Sequence, residues 1–367
     1  MSNLEKIMGV TVVVGGQYGG EGKGKLVAHL AKRDDAAYVV RCGGPNSGHT
    51  VESNGQTYKL RMLPAGFVNA KSRLLLAAGS LINLQILNRE IEISGIDKKR
   101  VGIDFNSAII TEEESKSETG LGLRNKIGST LSGTGVGVAK RVLRDGSVKL
   151  AKEMPEAKPF LTDVAGEINS GIDKGEKCII EGTQGFGLSL YHADCYPYAT
   201  SRDTTASAFL SEVGVSPMKV NSIIMAVRTF PIRVGGNSGP LKNEINWEEV
   251  RKISGYPYGI SEFTTVTGTL RRIARFDLDL VKRAVMINRP TELALHGADY
   301  LDFVNKGIRE YELLNGIAKN FIKILENEIG IPVNFIGTGT SQLEIIDRVD
   351  NIHKISNILG SSEVSYV

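Results

Sequence analysis

The chain predicts an α/β fold: a single large domain, residues 1–367, with a mainly parallel central β-sheet flanked by helices. Three observations carry that expectation. Short β-branched runs recur along the chain, most end in glycine-containing loops, and helical periodicity fills several of the intervals. Continuous apolar runs bounded by glycine suit strands buried on both faces, as in a parallel sheet.

In order, VTVVV (10–14) runs into GGQYGGEGKGK and YVVR (38–41) into CGGPNSGHT. RLLLAA (73–78) ends at Gly79, and KCIIE (177–181) leads into GTQGFG. IIMAV (223–227) precedes RTFPIRVGGNSG, ELAL (292–295) precedes HGAD, and VNFI (333–336) precedes GTGT. Leu26 and Leu30 recur at helical spacing, as do Leu314, Ile317, Phe321 and Leu325. Strands alternating with helices place ligands beyond the carboxyl ends of the strands. The polar stretch EEESKSETGLGLRNK (112–126) reads as a mobile surface loop with a solvated charge run. No repeat, low-complexity tract or linker divides the chain.

Composition narrows the function. With 41% hydrophobic and 23% charged residues the chain can bury a sizeable core. Lys plus Arg total 44 against 41 Asp plus Glu, and no basic block concentrates the +3 charge, so a nucleic-acid partner is not expected. Cys42, Cys178 and Cys195 form no Cys-x-x-Cys pair, which reads as reduced thiols in a cytoplasmic compartment. The amino-terminal residues do not read as a secretory leader, and no apolar run is long enough to span a membrane.

The first loop carries the most chemistry. A strand, a glycine loop and a helix converge backbone N–H groups on an anion where the helix dipole is positive. Here the loop reads Gly15-Gly16-Gln17-Tyr18-Gly19-Gly20-Glu21-Gly22-Lys23-Gly24-Lys25. Five residues, not four, separate Gly16 from Gly22, and Gly24 follows Lys23 where a Walker loop has Ser or Thr. It is P-loop-like, yet distinct from a generic P-loop NTPase.

The whole string resembles the opening motif of adenylosuccinate synthetases, and further motifs follow in the family's order. They are GGPNSGHT (43–50), Ile127-Gly128-Ser129-Thr130 with Arg141 and Arg144 downstream, Glu181-Gly182-Thr183-Gln184-Gly185 and YPYATS (196–201). Arg233-Val234-Gly235 and Val266-Thr267-Gly268 through Arg271-Arg272 complete the set. The resemblance spans roughly residues 10–350 and is nearest the short form of the family.

That resemblance implies a ligase. A nucleoside triphosphate phosphorylates the 6-oxo group of a purine monophosphate, and L-aspartate then displaces the phosphate. Mg²⁺ and Lys23 would neutralise the transferring phosphoryl, His49 would protonate or polarise the 6-oxygen, and Gln184 would complete the catalytic set. The Gly48 carbonyl would bind Mg²⁺, with Gly20 a backbone or vacant ligand position. The triphosphate would lie on Gly19, Glu21, Gly22, Lys23, Gly24, Gly48, His49, Thr50, Asp299, Thr338 and Gly339. The monophosphate would be held by Asn46, Ser129, Thr130, Gln184, Thr200 and Val234, with Arg144 reaching across a homodimer interface. Thr267, Gly268, Thr269, Arg271 and Arg272 would receive aspartate, since arginine's planar fork fits a carboxylate. His29 and His353 read as structural or surface residues.

Four departures refine the expectation. The family's aspartate base, which takes the N1 proton, is Gly20 here, leaving room for the 2-amino group of guanine. The family's first arginine after Thr-Gly, near the ribose 2′-hydroxyl, is Thr269, which suits a deoxyribose. The usual Thr-Lys-x-Asp appears as His296-Gly297-Ala298-Asp299, favouring ATP or dATP over GTP as donor. Tyr18 replaces a tryptophan. Gly20 and Thr269 together point to the viral branch that makes 2-amino-2′-deoxyadenylosuccinate from dGMP, in the host cytoplasm, while the Tyr18 change carries no meaning. An ordinary synthetase acting on IMP, with Glu21 the nearest carboxylate, and a non-catalytic nucleotide-binding paralogue are the alternatives.

Overall fold

The computed structural model describes residues 9–349; His353 lies outside them. Ten strands form the central sheet: β1 (Val10–Gly15), β2 (Tyr38–Arg41), β3 (Arg73–Leu76), β4 (Val101–Asp104), β5 (Leu161–Thr162), β6 (Cys178–Glu181), β7 (Val220–Arg228), β8 (Glu292–His296), β9 (Val333–Gly337) and β10 (Ile345–Asp347). Their spatial order is β5-β4-β3-β2-β6-β1-β7-β8-β9-β10. Every pairing is parallel except that of β10 with β9. All seven predicted strands are present. The three missed strands, β4, β5 and β10, are short and lie toward the sheet edges, where little apolar sequence is needed.

The β-branched strands are buried on both sides. Val12 and Val14 join one apolar layer and Val13 the other, as strand alternation requires. Helix Lys23–Arg33 packs Leu26 and Leu30 into the second layer; truncating either leucine would cost ~2–5 kcal/mol. Helix Gly316–Ile329 buries Ala318, Ile322 and Leu325 in the first. Ile317, expected on its buried face, is 57% exposed, and Leu314 is buried just ahead of the helix.

The stretch 112–126 is not a loop. It forms helices Glu112–Gly120 and Leu123–Ile127, started by a capping box in which Glu114 returns to Thr111. Its charges are only partly solvated, because Glu118 is buried and accepts the Gly133 and Gly135 N–H groups.

Strands β6 and β7 flank β1 although they come much later in the chain, so connections leave β1 in both directions. This reversal opens a crevice beyond the carboxyl ends of β1, β6 and β7. The hairpin His49–Ser53/Gln56–Leu60 lies to one side. A small antiparallel sheet formed by Ile232–Arg233, Glu244–Ile245 and Arg272–Ala274 has its own apolar cluster around Trp247 and Val250.

Candidate active site

The loop after β1 is shaped by glycine: Gly19, Gly20 and Gly22 have φ of 85°, 72° and 89°, the left-handed region that side chains resist. The Glu21 carboxylate, fully buried, braces the turn from inside. It accepts the N–H groups of Gln17 (3.1 Å) and Gly19 (2.7 Å) and pairs with the Lys23 ammonium at 2.6 Å. Lys23 also donates to the Gln184 carbonyl, so these two expected catalytic residues do meet. Gln184 is held at φ 60° to make that contact.

Parallel register aligns the charged residues that end the buried strands. Arg41 of β2 sits beside Glu181 of β6, and Arg228 of β7 beside His296 of β8. Arg41 donates to Glu181 at 2.5 Å, and the second Glu181 oxygen accepts the Ala65 N–H at 2.7 Å. Burial would raise the Glu181 carboxyl, but Arg41 and His49 hold it below its ordinary range. His49 Nδ1 lies against Glu181, with Arg41 Nη1 at 2.7 Å. Since Glu181 is the ionised acceptor, we assign the Nδ1 proton to it, which leaves Nε2 for a ligand. Burial first, and the Arg41 guanidinium second, push the His49 pKa down to about 4, so the ring is neutral without ligand. Gly24 allows this packing, because a Cβ there would lie 2.6 Å from that of His49.

Arg228 forks onto Glu262 (3.1 and 2.5 Å) and also donates to the Gly20 carbonyl at 3.2 Å. His296 is 6% exposed and both ring nitrogens lack a hydrogen-bond partner among the described residues. Burial, then Lys25, holds it well below its ordinary pKa. Buried Lys25 falls to about 8 and donates to the Gly339 carbonyl at 2.7 Å. Asp299 accepts the Tyr256 hydroxyl, and burial raises its carboxyl. Thr338 is buried and donates to Ile308 O at 2.7 Å, whereas Thr50 points to solvent.

On the monophosphate side Asn46 reaches Thr200 (3.4 Å), Thr130 meets Ser132 (2.9 Å), and Ser129 caps Leu131 N. The Val234 carbonyl accepts Ser238. Thr264, Thr267 and Thr269 form a hydroxyl cluster around Gly268, whose φ is 63°. Arg144 is exposed at the end of its helix, beside exposed Val142 and Leu143.

Two placements differ from the expectation. A Cβ on Gly20 would run into Arg271 Nη1 and lie 2.7 Å from Ile232 Cδ1; the room expected there is taken up by a guanidinium. Arg272 spends its fork on Glu244 (2.7 and 2.5 Å) and Gly239 O (2.6 Å), so its guanidinium is already committed within the chain. For Mg²⁺ the fit is selective. Arg228 already occupies the Gly20 carbonyl, so that position does not suit a cation. Among the described residues no acidic cluster could hold a metal alone.

Arg41, Glu181, Arg228, His296 and Lys25 had no assigned role in the sequence reading. A signal was present. Each of the first four is a charged or titratable residue closing an apolar strand, where burial demands a partner or a ligand.

Cations gathered round a glycine loop at the strand ends define a nucleotide-dependent α/β enzyme. The adenylosuccinate synthetase family profile matches residues 12–152 and 147–306. The adenylosuccinate synthetase of Archaeoglobus fulgidus is 43% identical over 342 residues, covering 93% of this chain and 98% of that protein. That of Pyrococcus horikoshii is 43% identical over 345 residues, covering 93% and 99%. The chain therefore belongs to the adenylosuccinate synthetase family, whose members are C–N ligases that join aspartate to a purine nucleotide. Two solved structures share the fold. Fully ligated adenylosuccinate synthetase from Plasmodium falciparum superposes with a TM-score of 0.82 at 21% identity, over 92% of this chain and 99% of that one. Cyanophage S-2L succinoaminodeoxyadenylate synthetase, bound to dGMP and dATP, gives 0.78 at 24%, over 95% and 99%.

Proposed function

We propose that this ligase uses dGMP. The γ-phosphoryl of a triphosphate passes to the 6-oxygen as the N1 proton is lost to water, and the aspartate amine, shedding a proton to water, then displaces phosphate at C6. The products are N6-succino-2-amino-2′-deoxyadenylate, a nucleoside diphosphate and phosphate. The supporting observation is Gly20: no carboxylate projects from the loop, and Glu21 cannot stand in, since both its oxygens are committed. Arg271 fills the space until aspartate draws its guanidinium away, which opens room beside C2 for an amino group.

Lys23 holds phosphate oxygens at the loop; the Gly48 carbonyl would help hold Mg²⁺, which would supply further charge neutralisation. As anionic ligands enter, His49 gains a proton. Glu181 stabilises the imidazolium, and Nε2–H is then directed at the 6-oxygen. Gln184, braced by Lys23, orients the base. Gly297, where the family motif has a lysine ahead of Asp299, favours ATP or dATP as donor, and the cyanophage enzyme of this fold is bound to both dGMP and dATP. Exposed Val142 and Leu143 beside Arg144 form the homodimer contact, so V142E/L143E should sediment as a monomer with lost activity.

A second reading, IMP as substrate, is favoured by the archaeal relatives, which are named adenylosuccinate synthetases. Specificity constants decide between the two. A higher kcat/KM for dGMP than for IMP is expected; the reverse would leave the ordinary synthetase standing. Faster turnover with GTP than with ATP or dATP would overturn the donor assignment.

A further inference from the structure

A polar cavity of about 350 Å³ lies between the Pro45 loop, helix Leu123–Ile127 and the Thr264–Thr269 turn. Two arginines line it, Arg61 and Arg124, and neither has a carboxylate within ion-pair distance among the described residues. Arg61 is the better placed. It is partly buried, and loss of water pushes its pKa down. The nearest acid, Glu90, spends its oxygens on the N–H groups of Arg61, Met62 and Leu63. A guanidinium that has given up water without gaining a counter-charge is an anion site awaiting its anion.

Its hydrogen bonds indicate which anion. Arg61 Nε donates to the Pro45 carbonyl at 2.7 Å, and Nη2 to the Ser132 hydroxyl at 3.1 Å. Pro45 precedes Asn46, and Ser132 is bonded to Thr130 at 2.9 Å, so Arg61 ties together both walls assigned to the monophosphate. Nη1 has no hydrogen-bond partner among the described residues, and Thr130 and Thr267 line the same cavity. We infer that Arg61 is a substrate-binding residue whose guanidinium holds the 5′-phosphate of the purine monophosphate. This rests on the chain's use of such a nucleotide and not on which base it carries.

The test is titration calorimetry of the whole protein with dGMP, IMP and the matching nucleosides that lack phosphate, alongside steady-state kinetics. Arg61→Met should weaken whichever monophosphate binds by about 10–100-fold and leave nucleoside binding within threefold. The KM for aspartate and triphosphate should change little, and Arg61→Lys should recover part of the loss. Ser132→Ala keeps the charge but removes one tether, and should cost less than about threefold if charge is the agent. An unchanged thermal midpoint in Arg61→Met separates lost binding from lost folding; if that variant is unstable, the Lys and Ser132→Ala variants carry the test. Unaltered monophosphate affinity in Arg61→Met, an equal loss with nucleoside, or a rise confined to the aspartate KM would overturn the assignment. Because the same loss is expected for dGMP and IMP, a preference for IMP would refute the proposed base and leave Arg61 in place.

Discussion

The two flanks of β1 end in the same kinds of residue and treat them in opposite ways. On the β2–β6 side Arg41 and His49 both converge on the Glu181 carboxylate in a dry network, with Arg41 Nε left without a hydrogen-bond partner among the described residues. On the β8–β9 side the His296 nitrogens have no partner, and Lys25 finds only a backbone carbonyl among the described residues. On the mechanism proposed above, the first flank is preorganised for chemistry, since its dipoles need no rearrangement when the 6-oxygen arrives. The second holds buried Lys25, with Asp299 and Glu344 near it, and would be the flank that waits for the triphosphate.

Breaking the preorganised flank should have the largest effect. His49→Asn is expected to lower kcat by ~10²–10⁴-fold with nucleotide affinity little changed. Near-normal turnover would remove His49 from the chemistry.

Position 20 lies between the flanks. Gly20→Asp adds a side chain at φ 72° against Arg271 and Ile232, where a displacement of ~1 Å can cost ~10²-fold in rate. The variant should lose activity on dGMP and shift the specificity ratio toward IMP or dIMP. An unchanged ratio would show that residue 20 does not read the 2-substituent.

Lys25→Met tests the waiting flank. It should raise the triphosphate KM by ~10–100-fold, the weight of a charge-assisted contact, and leave the monophosphate KM alone. An increase confined to the monophosphate would put the donor on the wrong side.

Acid should act on both flanks through stability. His49 drops from the usual 6.5 to about 4, and His296 is also depressed. Below pH 6.5 the unfolded chain binds protons that these buried rings refuse, so stability is full above 6.5 and is lost as pH falls toward 4. For His49 this amounts to ~3 kcal/mol. Urea unfolding at pH 7 and pH 5 should show the loss, reduced in His49→Asn. Equal stability at the two pH values would mean that the rings are not held neutral.

Much of this molecule is written locally. Gly15–Lys25 specifies its own turn, because three left-handed positions so close together favour glycine and Glu21 lies within reach of the N–H groups it braces. Apolar runs closed by glycine mark seven strands, since a strand buried on both faces must be apolar throughout. His29, read as structural, is indeed bonded to Asp347 at 3.0 Å.

Other features depend on residues far apart in the chain, and only the tertiary structure decides them. Glu114 and Glu118 looked solvated, but Glu118 is buried because helix Thr134–Leu143 brings it N–H groups that need an acceptor. The pairing of Arg41 with Glu181 spans 140 positions and exists because β6 returns to lie between β2 and β1. Gly20 by itself announces an empty space; whether that space stays empty is settled by Arg271, which the small antiparallel sheet delivers from 251 residues away. Local sequence determines backbone conformation and polarity. Strand order determines which charges meet, and a buried charge takes its chemistry from what it meets.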